Sequence, residues 1–200
     1  MKKAVIFDFD GVIHDTLQLA YKINLKIYKN ISLEEYKDFF NGNVYEHKKV
    51  TVAATEKFFA AQNREFKKLV IKEHIKEGLE KLKKDYKLFI VSSNMGKTLD
   101  NYFKNNKLTH IFTEILGRDF HESKVEKFRH LMKKYCLAKK DCLFVTDTLG
   151  DILEANKIKL KTIAVDYGFH GRERLRRGKP LKIISDFKEL LPAVKDYFKK

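Results

Sequence analysis

The chain has 200 residues, 44% of them hydrophobic and 34% charged, a balance that excludes a disordered chain and fits one globular domain with at most a modest insertion. Lys+Arg number 42 against 27 Asp+Glu, a formal net charge of +15, which favours anionic partners such as phosphate esters or nucleic acid. The lysines are spread along the whole chain, the pattern of a solvated basic surface.

The first predicted strand is Ala4-Val5-Ile6-Phe7, too short an apolar run for a secretory signal. No later run approaches membrane-spanning length, so a soluble, cytoplasmic protein with no membrane partner is expected. From about Thr16 to about His74 no strand pattern occurs. Leu17, Tyr21, Leu25 and Tyr28 recur at helical spacing, and Ser32-Leu33-Glu34-Glu35 has the form of a capping box that opens a second helix. Val52–Val70 reads as a third helix, with Phe58, Phe59 and Phe66 as the apolar anchors of a small helical cap. The strand rhythm resumes at Leu88-Phe89-Ile90-Val91, Leu143-Phe144-Val145 and Thr162-Ile163-Ala164-Val165, with Ile111-Phe112 and Ile183-Ile184 as further short strands. Helical stretches at Leu99–Asn105, Val125–Tyr135 and Leu149–Asn156 separate them. Short, continuously apolar strands alternating with helices predict a doubly wound α/β fold around a mostly parallel sheet. Residues 1–15 and 75–200 would form this core, and 16–74 the cap inserted after the first strand. Cys136 and Cys142 lack zinc-ligand spacing and read as free thiols of a reducing compartment.

Ligands of open α/β sheets bind outside the carboxyl ends of the strands. Asp8-Phe9-Asp10-Gly11 follows the first strand and Ser92-Ser93-Asn94 the second. Asp147, with Asp151 four residues on, follows the third, and Lys124 precedes the helix that leads into it. Carboxylates gathered at one edge repel one another unless a cation sits among them, and an oxygen-only donor set suits Mg²⁺. Asp8 and Asp10, two apart on an extended segment, would face the same way, and Gly11 permits a tight turn with close backbone approach. Taken singly, Ser92 and Asn94 read as helix caps, and Asp147 as a cap of the helix near Leu149.

Together these motifs resemble the haloacid dehalogenase superfamily, specifically its phosphatases with a helical cap after motif one. Motif one is Asp8-Phe9-Asp10-Gly11-Val12-Ile13-His14-Asp15-Thr16; motif two is Val91-Ser92-Ser93-Asn94, preceded by the helix-like Gly78–Lys84; motif four is Asp147-Thr148-Leu149-Gly150-Asp151. Lys124 is similar by position to the motif-three lysine, although Val125 stands where many relatives have proline, which leaves Lys127 as its rival. Thr146 likewise stands where many have glycine before the motif-four aspartate.

The resemblance implies a Mg²⁺-dependent phosphomonoesterase of small phosphorylated metabolites. Asp8 would be the nucleophile and Asp10 the acid and base. Ser92, Ser93 and Lys124 would hold the phosphate, and Asp8, Asp10, Asp147 and Asp151 would bind the metal, Asp10 through its backbone carbonyl. A phosphomutase would use the same residues. A nucleic-acid-binding protein, or a phosphatase of nucleic-acid ends, is the reading from another class. It would rest on Arg172–Lys182, where Arg172, Arg174, Arg176, Arg177, Lys179 and Lys182 face only Glu173. His14 sits inside motif one, where a structural reading is favoured over approach to the substrate. Lys127 is expected to be an exposed helix lysine. No feature fixes an oligomeric state.

Overall fold

The computed structural model describes residues 3–199. Six strands make one all-parallel sheet: β1 Ala4–Phe7, β2 Lys87–Val91, β3 Glu114–Leu116, β4 Cys142–Thr146, β5 Lys161–Val165 and β6 Lys182–Ile184, in the spatial order β3-β2-β1-β4-β5-β6. Each central strand is buried on both faces, and its side chains alternate between two apolar layers. Val5, Phe7, Leu88, Ile90, Leu143 and Val145 enter one layer, while Ala4, Ile6, Phe89, Val91, Cys142 and Phe144 enter the other. This is why the strands read as continuous apolar runs rather than alternating ones.

Between β1 and β2 the described residues hold helices only: α1 Leu17–Ile27, α2 Leu33–Asp38, a 3₁₀ turn at Val44–Glu46, α3 Val52–Phe66 and α4 Glu73–Asp85. The later helices are α5 Gly96–Asn105, α6 Lys124–Lys134, α7 Leu149–Lys157, α8 Arg172–Arg176 and α9 Leu190–Phe198. The capping box of α2 forms: Ser32 Oγ accepts from the Glu35 N–H at 3.1 Å, and Glu35 Oε2 from the Ser32 N–H at 2.8 Å. Ile75, Leu79 and Leu82, spaced four and three apart, turn one face of α4 into the core.

Three expectations need correction. Ile111-Phe112 is not a strand; Ile111 N–H bonds Leu108 O in a turn, and strand pairing begins with Thr113 N–H on Leu88 O. The two apolar residues instead plug the sheet face, with the Phe112 ring edge-on to Phe7. The third helix stops at Phe66, short of Val70. There the side chain of Asn106 captures the chain, accepting from Ile71 N–H at 2.8 Å and donating to Leu69 O at 3.1 Å, which lets Leu69 and Ile71 drop onto the core. The aromatic series of α3 is therefore divided. Phe58 packs with α1 and α2, whereas Phe66 lies in the sheet core, 5.5 Å from the Phe9 ring.

The register sets the site. Phe7 lies beside both Ile90 and Val145, so β1, β2 and β4 end level with one another. The sheet reverses its winding at β1, which opens a crevice between the loops that follow these strands.

Candidate active site

Asp8 is still held by the sheet, its N–H donating to Val145 O at 2.9 Å. Its Oδ1 accepts from Phe9 N–H at 2.7 Å, leaving Oδ2 turned toward Lys124. The chain then folds back: Ile13 N–H returns to Phe9 O at 2.9 Å, and Gly11 N–H to His14 O at 2.8 Å. Gly11 has φ of +68°, and a Cβ there would lie 1.8 Å from Asp147 Oδ2, so backbone conformation and space both demand glycine. This turn presents Asp10, whose Oδ1 accepts from Thr16 Oγ1 at 2.5 Å and Oδ2 from Asn94 Nδ2 at 2.6 Å.

Asp147 follows β4 and is almost wholly buried. Its Oδ2 accepts from Phe169 N–H at 2.7 Å, while Oδ1 is buried with no hydrogen-bond partner. Asp151 sits in the first turn of α7, where its Oδ2 accepts from Thr146 Oγ1 at 2.6 Å and from Lys124 Nζ at 2.6 Å. Lys124, the first residue of α6, also stands 2.9 Å from Asp8 Oδ2, so one buried ammonium joins two carboxylates. Ser123 caps α6, and Glu154 receives both Ser123 Oγ, at 3.1 Å, and Lys124 N–H, at 2.9 Å. In the loop after β2, Ser92 Oγ accepts from Asn94 N–H at 3.1 Å, and Ser93 O accepts from the Tyr45 hydroxyl. Asp8 and Asp151 thus meet on Lys124, Asp10 is tied through Asn94 to the loop of Ser92, and Asp147 lies against the Gly11 turn.

A model of the haloacid dehalogenase-like hydrolases matches residues 5–165, which spans β1 through β5 and every one of these side chains. The chain belongs to that family. Among its relatives, a phosphoglycolate phosphatase of Aliivibrio fischeri is 29% identical over 124 residues, 60% of this chain and 55% of that protein's length. A pyrophosphatase PpaX of Bacillus mycoides is 24% identical over 208 residues, with 95% of each chain covered. A haloacid dehalogenase-like hydrolase from Streptococcus pneumoniae shares the fold with a TM-score of 0.79 at 20% identity, covering 96% of this chain and 98% of its own.

The electrostatics of the site follow from its burial. Desolvation pushes Asp8 and Asp147 well above the usual carboxylate range; Lys124 pulls Asp8 back down, while Asp8 itself drives Asp147 further up. Burial also opposes ionisation of Asp151, but Lys124 and the Thr146 hydroxyl outweigh it and leave this carboxyl below the ordinary value. Desolvation raises Asp10 to about 6, against hydrogen bonds from Thr16 and Asn94 that favour its anion. Of three buried carboxylates, Asp8 and Asp151 share the Lys124 ammonium, and Asp147 has no cation at bonding distance and keeps an orphaned oxygen. That arrangement fits a hard divalent cation. Among the described residues, no group of three or more acidic, histidine or cysteine side chains is placed to hold a metal ion; Mg²⁺ asks for only one or two carboxylates and keeps several waters. The Asp10 carboxylate is engaged by Thr16 and Asn94, so any ligand role falls to its backbone oxygen.

Several expectations about single residues change. Lys127 is not exposed: its relative accessibility is 0%, and Nζ donates to Ser92 O at 2.5 Å. Lacking a carboxylate at bonding distance, it is pulled by burial, and by repulsion from Lys124, down to about 7. Asn94 does not cap α5, whose N-cap is Met95, but bridges Asp10 to Gln62. Asp147 does not cap α7; Thr148 does, accepting from Asp151 N–H at 3.3 Å. His14 stays structural: it bonds the Tyr102 hydroxyl at 3.0 Å and packs edge-on to that ring, away from the pocket beside Asp10. In the basic segment, Arg172 pairs with Asp166 at 2.9 Å and Arg174 with Asp38 at 3.0 Å, which spends part of its charge inside the protein.

Four contributors escaped sequence reading: Gln62, Tyr45, Glu154 and His170. His170 joins α2 to α7, with Nδ1 accepting from Leu149 N–H at 2.9 Å and Nε2 donating to Lys37 O at 2.9 Å. That pairing fixes the neutral tautomer, and burial takes its pKa down to about 4. Among the described residues no helix is long and apolar enough to cross a membrane.

Proposed function

We propose that the chain is a Mg²⁺-dependent phosphomonoester hydrolase that works through an aspartyl-phosphate on Asp8. The observation that carries this reading is the pairing at the end of β1. Asp8 faces Lys124, and Asp10, two residues on, is pushed up to about 6. Burial raises both carboxyls; the Lys124 ammonium opposes that rise at Asp8 and favours the anion a nucleophile needs, while Asp10 titrates close to neutrality, as an acid–base group should.

In the first half-reaction a carboxylate oxygen of Asp8 bonds to phosphorus as the ester P–O bond breaks. The proton on Asp10 passes to the leaving alkoxide. In the second, water attacks phosphorus and gives its proton to Asp10. The Asp8–phosphorus bond breaks, and inorganic phosphate leaves. The Ser92 hydroxyl, the Ser93 N–H and the Lys124 ammonium hold the non-bridging oxygens while charge redistributes over them. Lys127 fixes the Ser92 carbonyl and so positions that loop from behind. The carboxylates of Asp8 and Asp147 and the Asp10 carbonyl would hold Mg²⁺, with Asp151 in the outer shell. The ion would supply countercharge for the incoming phosphate dianion.

Residues 16–74 are proposed as the cap, with the core formed by 1–15 and 75–200. It touches the core through Gly150 N–H on Phe40 O at 2.8 Å and through the bond of Tyr45 to Ser93. Such a lid excludes bulk water during turnover. The test is release of inorganic phosphate from phenyl phosphate with Mg²⁺, its loss in EDTA, and its return with added Mg²⁺. Full turnover in metal-free protein contradicts the metal assignment, and no phosphate release under any metal contradicts the hydrolase.

A further inference from the structure

Above Asp10, helices α1, α2 and α3 enclose a pocket. Tyr28, Tyr36, Phe39, Phe40, Phe58 and Phe59 form its walls, and Asp10 and Asn94 lie at its floor. Among the described residues that line it there is no lysine, arginine or histidine. In a chain of net charge +15 the lack of a cation is informative. Arg118 stands behind the lining rings of Tyr45 and Phe59, at 5.1 and 5.8 Å, but is already paired with Glu122 at 2.7 Å, so a leaving group bearing a carboxylate or a second phosphate would lose its hydration here without gaining a free counter-ion. Aromatic walls instead suit a flat, uncharged group.

The polar chemistry of the pocket narrows the class further. The Asp10 carboxylate only accepts, so Asn94 must turn Nδ2 toward it, at 2.6 Å. Asn94 Oδ1 is then the acceptor for Gln62 Nε2, at 2.8 Å. This order leaves Gln62 Oε1 as an acceptor with no partner, on a side chain only 2% exposed in the pocket wall. A buried unpaired carbonyl oxygen keeps its desolvation cost unless something donates to it.

We propose that the site takes phosphate monoesters whose alcohol part is flat and uncharged and carries an N–H or O–H donor for Gln62 Oε1. Nucleobase-bearing and hydroxyaryl esters are of this kind. The inference rests on the hydrolase reading above. Two amides separate that oxygen from Asp10, so the donor belongs to the far end of the leaving group, away from the scissile bond. Phosphoglycolate and pyrophosphate, whose leaving groups are charged, are disfavoured.

The test compares kcat/KM for thymidine 5′-monophosphate, methyl phosphate, phosphoglycolate and pyrophosphate with Mg²⁺. Binding of thymidine alone is measured in parallel by calorimetry. Thymidine monophosphate is expected to lead the panel. Gln62→Met is expected to cut its advantage over methyl phosphate by about tenfold or more, and Phe58→Ala to raise its KM by a larger factor than that of methyl phosphate. Faster turnover of phosphoglycolate or pyrophosphate overturns the pocket inference and leaves the hydrolase standing. Failure to release phosphate from any ester overturns the hydrolase, and calorimetry then decides the pocket separately. Thymidine binding that Gln62→Met weakens supports it; no binding, or binding equal in wild type and Gln62→Met, overturns it.

Discussion

The floor and the roof of the crevice are built on opposite principles. The floor gathers Asp8, Asp147, Asp151, Lys124 and Lys127, all buried and all ionisable. The roof presents rings from α1, α2 and α3 and, among the described residues, no cation. Each floor group is fixed by a strand end or a first helical turn, where backbone geometry leaves little freedom. Roof rings come from separated segments and are fixed mainly by packing, with a few hydrogen bonds to the core made by Gln62, Tyr45 and the Phe40 carbonyl. Charge at the floor costs stability and supplies chemistry; apolar surface at the roof supplies stability and would choose the leaving group.

The largest effect expected at the floor is from Lys124→Met. It leaves Asp8 and Asp151 buried without their shared ammonium, a loss of about 3–5 kcal/mol unless the carboxyls take up protons. Turnover should fall by a factor on the order of 10² or more, comparable to removing an oxyanion donor. Chemical denaturation and steady-state kinetics read the two effects, and a variant that keeps both stability and rate would break the contrast drawn here.

Asp147→Asn should separate stability from function. The Mg²⁺ concentration for half-maximal rate should rise about 10- to 100-fold. In EDTA the same variant should melt higher than wild type, because a buried carboxylate with an orphaned oxygen has been neutralised. Equal melting temperatures in EDTA would show that Asp147 carries no unrelieved cost.

Lys127 sharpens the comparison through pH. Its folded value, about 7, lies below the ordinary 10.5, so between these values the unfolded chain binds the extra proton. Stability contributed by this group therefore rises as pH climbs from about 7 toward 10.5. Lys127→Met should flatten that rise, worth on the order of a few kcal/mol, and should gain most relative to wild type below pH 7. It should also slow turnover about tenfold by freeing the Ser92 carbonyl. Urea midpoints at several pH values check the first part.

A smaller effect is expected at Thr16. Its hydroxyl favours the Asp10 anion, so Thr16→Val should raise Asp10 above its value of about 6. The proposed acid of the first step, Asp10, must be protonated, so the high-pH decline of kcat/KM for an alkyl ester should move upward by about one unit or less. A downward movement would contradict the role.

Legibility followed the same divide. Asp8, Asp10 and Gly11 were readable because a fully apolar strand ends just before them, and the glycine was required by the turn it makes. Lys127 was misjudged for want of one step: it lies three residues after Lys124, on the same helix face, so burial of one implies burial of the other. Asn94 looked like a cap because its partners, Asp10 and Gln62, lie 84 and 32 residues away. Ile111-Phe112 failed as a strand because two adjacent apolar residues carry no period, and the turn at Leu108 uses them as a plug. The fold and the strand-end residues were thus written locally, whereas the roof depends on contacts between α1, α2 and α3 that no local pattern encodes.

The central claim, that Asp8 becomes phosphorylated, is tested most directly by rapid quench with phosphate-labelled phenyl phosphate and Mg²⁺. Wild type should show acid-stable label on the protein within the first turnover, Asp10→Asn should hold that label longer, and Asp8→Asn should show none. Label appearing on Asp8→Asn at the wild-type level would contradict the account.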